Sequence, residues 1–138
     1  MKNVAIIGVG LIGGSFALDI KEKYPESVIN GIDTNEAHID EAISLGIIDQ
    51  SATLNHLKEA DLVIVAIPVD ASLNYLPQVL DNIGENTIVF DVGSTKEDIC
   101  VKVKNHPNRR HYLSVHPIAG TEFSGPKAAV KGLFKNKT

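Results

Sequence analysis

The sequence predicts an α/β fold: a doubly wound, mostly parallel sheet with helices on both faces. Three observations predict it. Short apolar runs alternate with stretches of helical periodicity along the whole chain. The run 61–67 is apolar without alternation after Asp61, as in a strand covered on both faces. Glycines follow the first apolar run at once, in Gly8-Val9-Gly10-Leu11-Ile12-Gly13.

The elements follow in order. Residues 4–7 form the first strand, and 11–24 the first helix, with Ile12, Phe16 and Ile20 spaced by four on one face. The second strand is 27–33. The second helix is 35–45, with Ile39, Ala42 and Ile43 inward and Gly46 ending it. A short third strand is expected around 48–53 and the fourth at 61–67. A helix over 70–83 carries Leu73, Leu76 and Leu80 on one stripe, with Pro77 as a point of kinking. The fifth strand is 86–91, followed by a helix over 95–105 carrying Ile99 and Val103. The sixth strand is 111–115, and a short helix covers 125–130.

The glycine spacing has a chemistry. Gly8 allows the tight turn out of the first strand, Gly10 lets backbone approach a pyrophosphate, and Gly13 brings helix and sheet together. The helix start at Leu11 and Ile12 then offers free N–H groups and a positive dipole end to phosphates. Asp33 stands 20 residues after Gly13, where a carboxylate can accept hydrogen bonds from both ribose hydroxyls and repel the 2′-phosphate of NADP. Thr34 and Asn35 supply no cation to reverse that preference, so NAD is the expected cofactor. A plain strand-to-helix turn, with Asp33 as a helix cap, is the alternative.

Composition excludes several other functions. At 138 residues, 43% hydrophobic and 22% charged, the chain reads as one soluble globular domain over 1–138. A net charge of −4 argues against nucleic acid or an anionic membrane as partner. The single Cys100 permits no internal disulfide, which fits a reducing cytoplasm, and reads as a buried structural thiol. No metal site is expected. Met1 is followed at once by a strand, leaving no room for a leader, and the longest apolar run, 62–69, contains Pro68 and is too short for a bilayer. His38, His56, His106 and His111 fall on polar faces or in loops and read as solvent-exposed.

Ligands on such sheets sit at the carboxyl ends of the strands. Three segments there are unusual: Ala66-Ile67-Pro68-Val69, a strand end turned by proline beside the cofactor; Asp91-Val92-Gly93-Ser94-Thr95-Lys96; and Ser114-Val115-His116-Pro117-Ile118-Ala119-Gly120-Thr121-Glu122. Ser94 with Glu97 also fits a capping box, and His116 before Pro117 fits a simple strand end. Together the last two segments resemble the nucleotide-binding half of the prephenate and arogenate dehydrogenases of tyrosine biosynthesis. That resemblance implies NAD-dependent oxidative decarboxylation of prephenate to 4-hydroxyphenylpyruvate. It implies that His116 accepts the hydrogen bond of the ring hydroxyl, that Ser94 orients the histidine or substrate and touches the cofactor, and that Thr121 and Glu122 line the substrate pocket. Arogenate as substrate, or a non-catalytic NAD-binding module, are the alternatives.

Enzymes of that family are longer. A helical C-terminal domain completes their active site, forms the dimer and supplies the arginine for substrate carboxylate. Here Arg109 and Arg110 lie in a polar loop and read as solvated. The expectation is therefore a truncated cofactor-binding portion, of little activity alone, whose parent is a homodimer through the missing domain.

Overall fold

The computed structural model describes residues 1–136. Its strands are β1 (Asn3–Ile7), β2 (Val28–Ile32), β3 (Gln50–Ser51), β4 (Leu62–Val65), β5 (Ile88–Asp91) and β6 (Tyr112–Ser114). They form one six-stranded sheet in the order β3-β2-β1-β4-β5-β6, every pairing parallel. The order reverses between β1 and β4, and that crevice is where open α/β sheets bind ligands.

Alternation along β1 shows why the sheet is covered twice. Val4 and Ile6 join one buried cluster, with Ile29, Ile64, Ala17, Ile39, Ala42 and Ile48. Ala5 and Ile7 join the other, with Val63, Val65, Val89, Leu76, Leu80, Ile99 and Val103. Each fully buried Ile, Leu or Val contributes about 1.5–3 kcal/mol over exposure, so neither helical layer is dispensable.

The helices are α1 (Leu11–Lys23), α2 (Glu36–Ser44), α3 (Val69–Asp81) and α4 (Glu97–Val103). α1 buries Gly13, Gly14, Ser15 and Ala17, small residues that let it lie close to the sheet. Its expected stripe of Ile12, Phe16 and Ile20 is only half-buried. α2 starts on Asn35, whose Oδ1 accepts the Ala37 N–H at 3.0 Å. Ile39 and Ala42 face inward, but Ile43 is 41% exposed, against expectation. α3 buries Leu76, Val79 and Leu80 and continues through Pro77. Leu73 is half-buried beside them.

Elsewhere local geometry is tighter than the sequence pattern suggests. The third strand shrinks to two residues, and a 3-10 helix over Leu54–Glu59 follows it, closed by reciprocal Thr53 and His56 bonds. The helix expected over 125–130 is a 3-10 turn, Pro126–Ala128, entered through Gly125 at φ +79°. α4 is two residues shorter at each end than the 95–105 pattern suggests. Past β6 the chain returns to the α1 face. There the Val130 N–H donates to Ser15 Oγ at 2.9 Å, the Gly132 N–H to Asp19 Oδ1 at 2.6 Å, and Phe134 stacks on Phe16 with centroids 4.0 Å apart. No helix among the described residues is long and apolar enough to cross a membrane.

Candidate functional site

The glycine loop is built by contacts that a side chain would destroy. Gly8 has φ +89°, and a Cβ there would sit 2.3 Å from the Ala66 carbonyl oxygen. A Cβ on Gly13 would sit 1.9 Å from the Gly8 carbonyl oxygen. Gly10 differs: the nearest atom to its Cβ position is the Gly125 nitrogen at 4.0 Å, so space lies open above it. A pyrophosphate fits that geometry, because its oxygens need backbone approach at Gly10 and packed backbone beneath it. No side chain caps α1. The N–H groups of Leu11, Ile12 and Gly13 precede its first helical bond, from the Gly14 N–H to the Gly10 carbonyl at 2.8 Å. Across the crevice Ala66, Ile67 and Val69 are half-buried and Pro68 is exposed, while the Ala66 N–H donates to the Ile7 carbonyl at 2.7 Å.

Asp33 is integral to this loop. Its Oδ2 accepts the Val9 N–H at 3.1 Å and its Oδ1 the Asn35 N–H at 2.9 Å, with the side chain 14% exposed. A carboxylate has about four acceptor positions, so two bonds leave capacity for two ribose hydroxyls. His38, one turn into α2, places Nδ1 3.8 Å from Asp33 Oδ2. Beside Ile32 lies an open cleft of about 330 Å³ lined by Ala52, Thr53, Leu54, Asn55 and Tyr75.

The opposite half of the sheet edge is held by Asp91. This carboxylate is 1% exposed at the end of β5. Its Oδ1 accepts the Tyr112 hydroxyl at 2.5 Å; its Oδ2 accepts the Gly93 N–H at 2.9 Å and Lys96 Nζ at 2.5 Å. Every oxygen of a buried anion is thus paired, as burial requires. Desolvation pushes the Tyr112 phenol well above its ordinary range, and its bond to Asp91 pushes the same way. The network ties the β5–α4 loop to β6, whose register pairs Asp91 with Ser114.

Ser94 stands exposed in that loop, three residues past β5. It is not a helix cap: α4 begins after Lys96 and no side chain caps it, because Thr95 and Lys96 intervene before Glu97. His116 is exposed two residues past β6. It borders an open cleft of about 610 Å³ whose walls include Pro117, Gly120, Thr121 and Leu133. Thr121 Oγ1 accepts the Phe123 N–H at 3.2 Å, and Glu122 is exposed. The structure brings Ser94 and His116 to adjacent strand ends without a hydrogen bond between them among the described residues.

Sequence reasoning missed three groups. Asp91 and Lys96 lie in a segment that the sequence marks as unusual without giving them a role, and Tyr112 has none; the available signal is an acid closing an apolar strand. It also misplaced histidines. His106 Nε2 donates to Asp81 Oδ1 at 3.0 Å with its side chain 13% exposed, His111 meets the Thr87 carbonyl at 2.9 Å, and His38 faces Asp33; of the four, only His56 is exposed, and it bonds Thr53. Cys100 is half-buried against the core rather than fully enclosed.

Strand order, glycine loop and carboxylate define a dinucleotide-binding α/β domain of the dehydrogenase kind. Residues 16–138 match the family described as "Prephenate dehydrogenase, nucleotide-binding domain", and the chain belongs to that family. It is 38% identical to a prephenate dehydrogenase of Bacillus subtilis, over 99% of this chain and 38% of that protein. It is 31% identical to a cyclohexadienyl dehydrogenase of Zymomonas mobilis, over 98% of this chain and 47% of that one. The Aquifex aeolicus prephenate dehydrogenase, solved with hydroxyphenyl propionate and NAD+, superposes with a TM-score of 0.89 at 32% identity, over 99% of this chain and 49% of that chain. The chain therefore spans about two fifths to one half of the length of these relatives.

Proposed function

We propose that this chain is the NAD-binding portion of a prephenate dehydrogenase, which oxidatively decarboxylates prephenate to 4-hydroxyphenylpyruvate in the cytoplasm. One observation carries the reading: Ser94 and His116 stand past neighbouring strands β5 and β6, on the same sheet edge as the glycine loop and Asp33. NAD, when bound, accepts the hydride from the ring carbon bearing the hydroxyl. Gly8, Gly10, Leu11, Ile12 and Gly13 hold its pyrophosphate, Asp33 its adenosine ribose, and Ala66 to Val69 the opposite wall. The cleft beside Ile32 and Tyr75 suits the adenine ring.

Hydride departure leaves a carbonyl-like carbon, so the ring hydroxyl must lose its proton. An imidazole is suited to accept it near neutral pH, and His116 takes that role. Ser94 orients substrate and histidine, and Thr121 and Glu122 line the substrate side. Decarboxylation is driven by aromatisation, which leaves orientation and proton acceptance as the protein's main task. Among the described residues, the cleft beside His116 is lined by no lysine or arginine, and Lys96 at the neighbouring strand end is paired with Asp91. The relatives' additional length is the place for one, and for a homodimer interface, so these residues alone are expected to bind NAD with little turnover.

The test is NADH formation from prephenate and arogenate, offered in parallel to this chain and to a longer polypeptide in which it is extended to the length of its relatives. Turnover of prephenate by the longer protein, abolished by His116→Asn with NAD binding retained, supports the assignment. Turnover that survives His116→Asn would remove the catalytic role, and rapid turnover by the 138 residues would overturn the division of labour.

A further inference from the structure

Asp33 does not meet the adenosine ribose site alone. His38 lies 3.8 Å from its Oδ2 through Nδ1, with 38% of the side chain exposed. The far side of the ring faces the returning tail: a Cβ on Gly125 would sit 3.8 Å from His38 Nε2. His38 thus stands between the carboxylate at the end of β2 and the 3-10 turn that approaches Gly10. The charged groups around it are few. Asp33 comes from β2, Glu41 lies one turn along α2, and Lys127 of the turn is held by Glu41 at 3.0 Å. Glu36 and Asp40 are exposed elsewhere on α2, and the first turn of α1 carries no acidic residue.

We propose that His38 is a second determinant of cofactor choice, reading the 2′ position of the adenosine ribose together with Asp33. This rests on the NAD-binding reading above. With a neutral imidazole, the Asp33 charge stands unopposed and disfavours a 2′-phosphate. With an imidazolium, a cation in the first turn of α2 stands 3.8 Å from the Asp33 carboxylate and offsets its charge. An imidazole is the side chain whose charge changes between pH 5 and 8, so the preference for NAD over NADP narrows as the medium is acidified. The absence of Lys or Arg at positions 34 and 35 is what leaves this role to His38.

The experiment is calorimetric titration of the 138-residue chain with NAD and with NADP at pH 6 and pH 8, for the wild type, His38→Gln and Asp33→Asn. The 2′-phosphate itself gains a proton near pH 6, and His38→Gln measures that contribution alone. The wild-type ratio of NADP to NAD dissociation constants is expected to fall from pH 8 to pH 6 by about twofold to fivefold more than the His38→Gln ratio, the scale of a partly exposed charge pair. Asp33→Asn should narrow the ratio at both pH values. Equal narrowing in wild type and His38→Gln would overturn the role of His38 while leaving NAD binding in place. Failure of the wild type to bind NAD at pH 8 would remove both readings.

Discussion

The two ends of the sheet edge are organised by opposite means. On the β1–β2 side, backbone makes the site: Gly8 and Gly13 are packed against carbonyl oxygens, and Asp33 is bonded to the loop it serves. On the β5–β6 side, a buried carboxylate makes the platform, and Ser94 and His116, the residues proposed for the chemistry, stand exposed beyond it. The first region has its shape before any ligand arrives. The second is half a site, rigid below and open above. This difference is what the proposal above predicts, with a cofactor held by these residues and a substrate bound in part by others.

The sharpest way to break the contrast is within the glycine loop. Gly13→Ala drives a methyl into the Gly8 carbonyl, a backbone atom that cannot swing aside, and should cost about 3 kcal/mol or more, beyond ordinary overpacking. Gly10→Ala meets open space. Its thermal midpoint should stay close to wild type while NAD affinity falls at least about tenfold, since the methyl occupies the pyrophosphate's approach. Melting curves and calorimetry on the two variants separate fold from site. Equal destabilisation by both would contradict the open position of Gly10.

The Asp91 platform is the next target. Asp91→Asn leaves Lys96 and Tyr112 with a poorer acceptor. The cost should be about 2–3 kcal/mol, below the 3–5 of a fully buried pair because the Lys96 side chain is 24% exposed. Tyr112→Phe removes one donor to a charge and should cost about 1–2 kcal/mol. The pH dependence has a definite sign. The Tyr112 phenol is raised in the fold, so its stabilisation is full below the ordinary tyrosine range near pH 10 and is lost as pH climbs toward the raised value. Alkaline unfolding curves should therefore be steeper above pH 10 for wild type than for Tyr112→Phe. Coincident curves would show that the phenol is not protected.

The glycine side was legible in the sequence because its physics is local. Gly8 to Gly13 and Asp33 are few residues joined by strand and helix geometry, and period and spacing reveal them. The β5–β6 side depends on contacts between distant residues. Tyr112 reaches Asp91 across 21 positions and His111 meets Thr87 across 24, and no local pattern announces either. His38 escapes the sequence for the same reason: a polar residue on a helix looks solvated until the strand end beside it is placed. The family resemblance, rather than spacing, pointed to His116 and Ser94.

Ser94 supplies the smallest and most discriminating prediction. A capping serine replaced by alanine costs about 0.5–2 kcal/mol, and the S-x-x-E spacing from Ser94 to Glu97 advertises such a cap. The structure puts the start of α4 two residues later, uncapped, and leaves the serine exposed. Ser94→Ala should therefore change stability by less than about 0.5 kcal/mol, as for a plain surface substitution. In a polypeptide extended to the length of the relatives, the proposed role predicts that the same change lowers turnover of prephenate. Denaturant midpoints and steady-state rates measured together decide the matter. A stable but slow variant assigns the serine to the open half of the site; a destabilised variant with normal turnover would return it to helix capping.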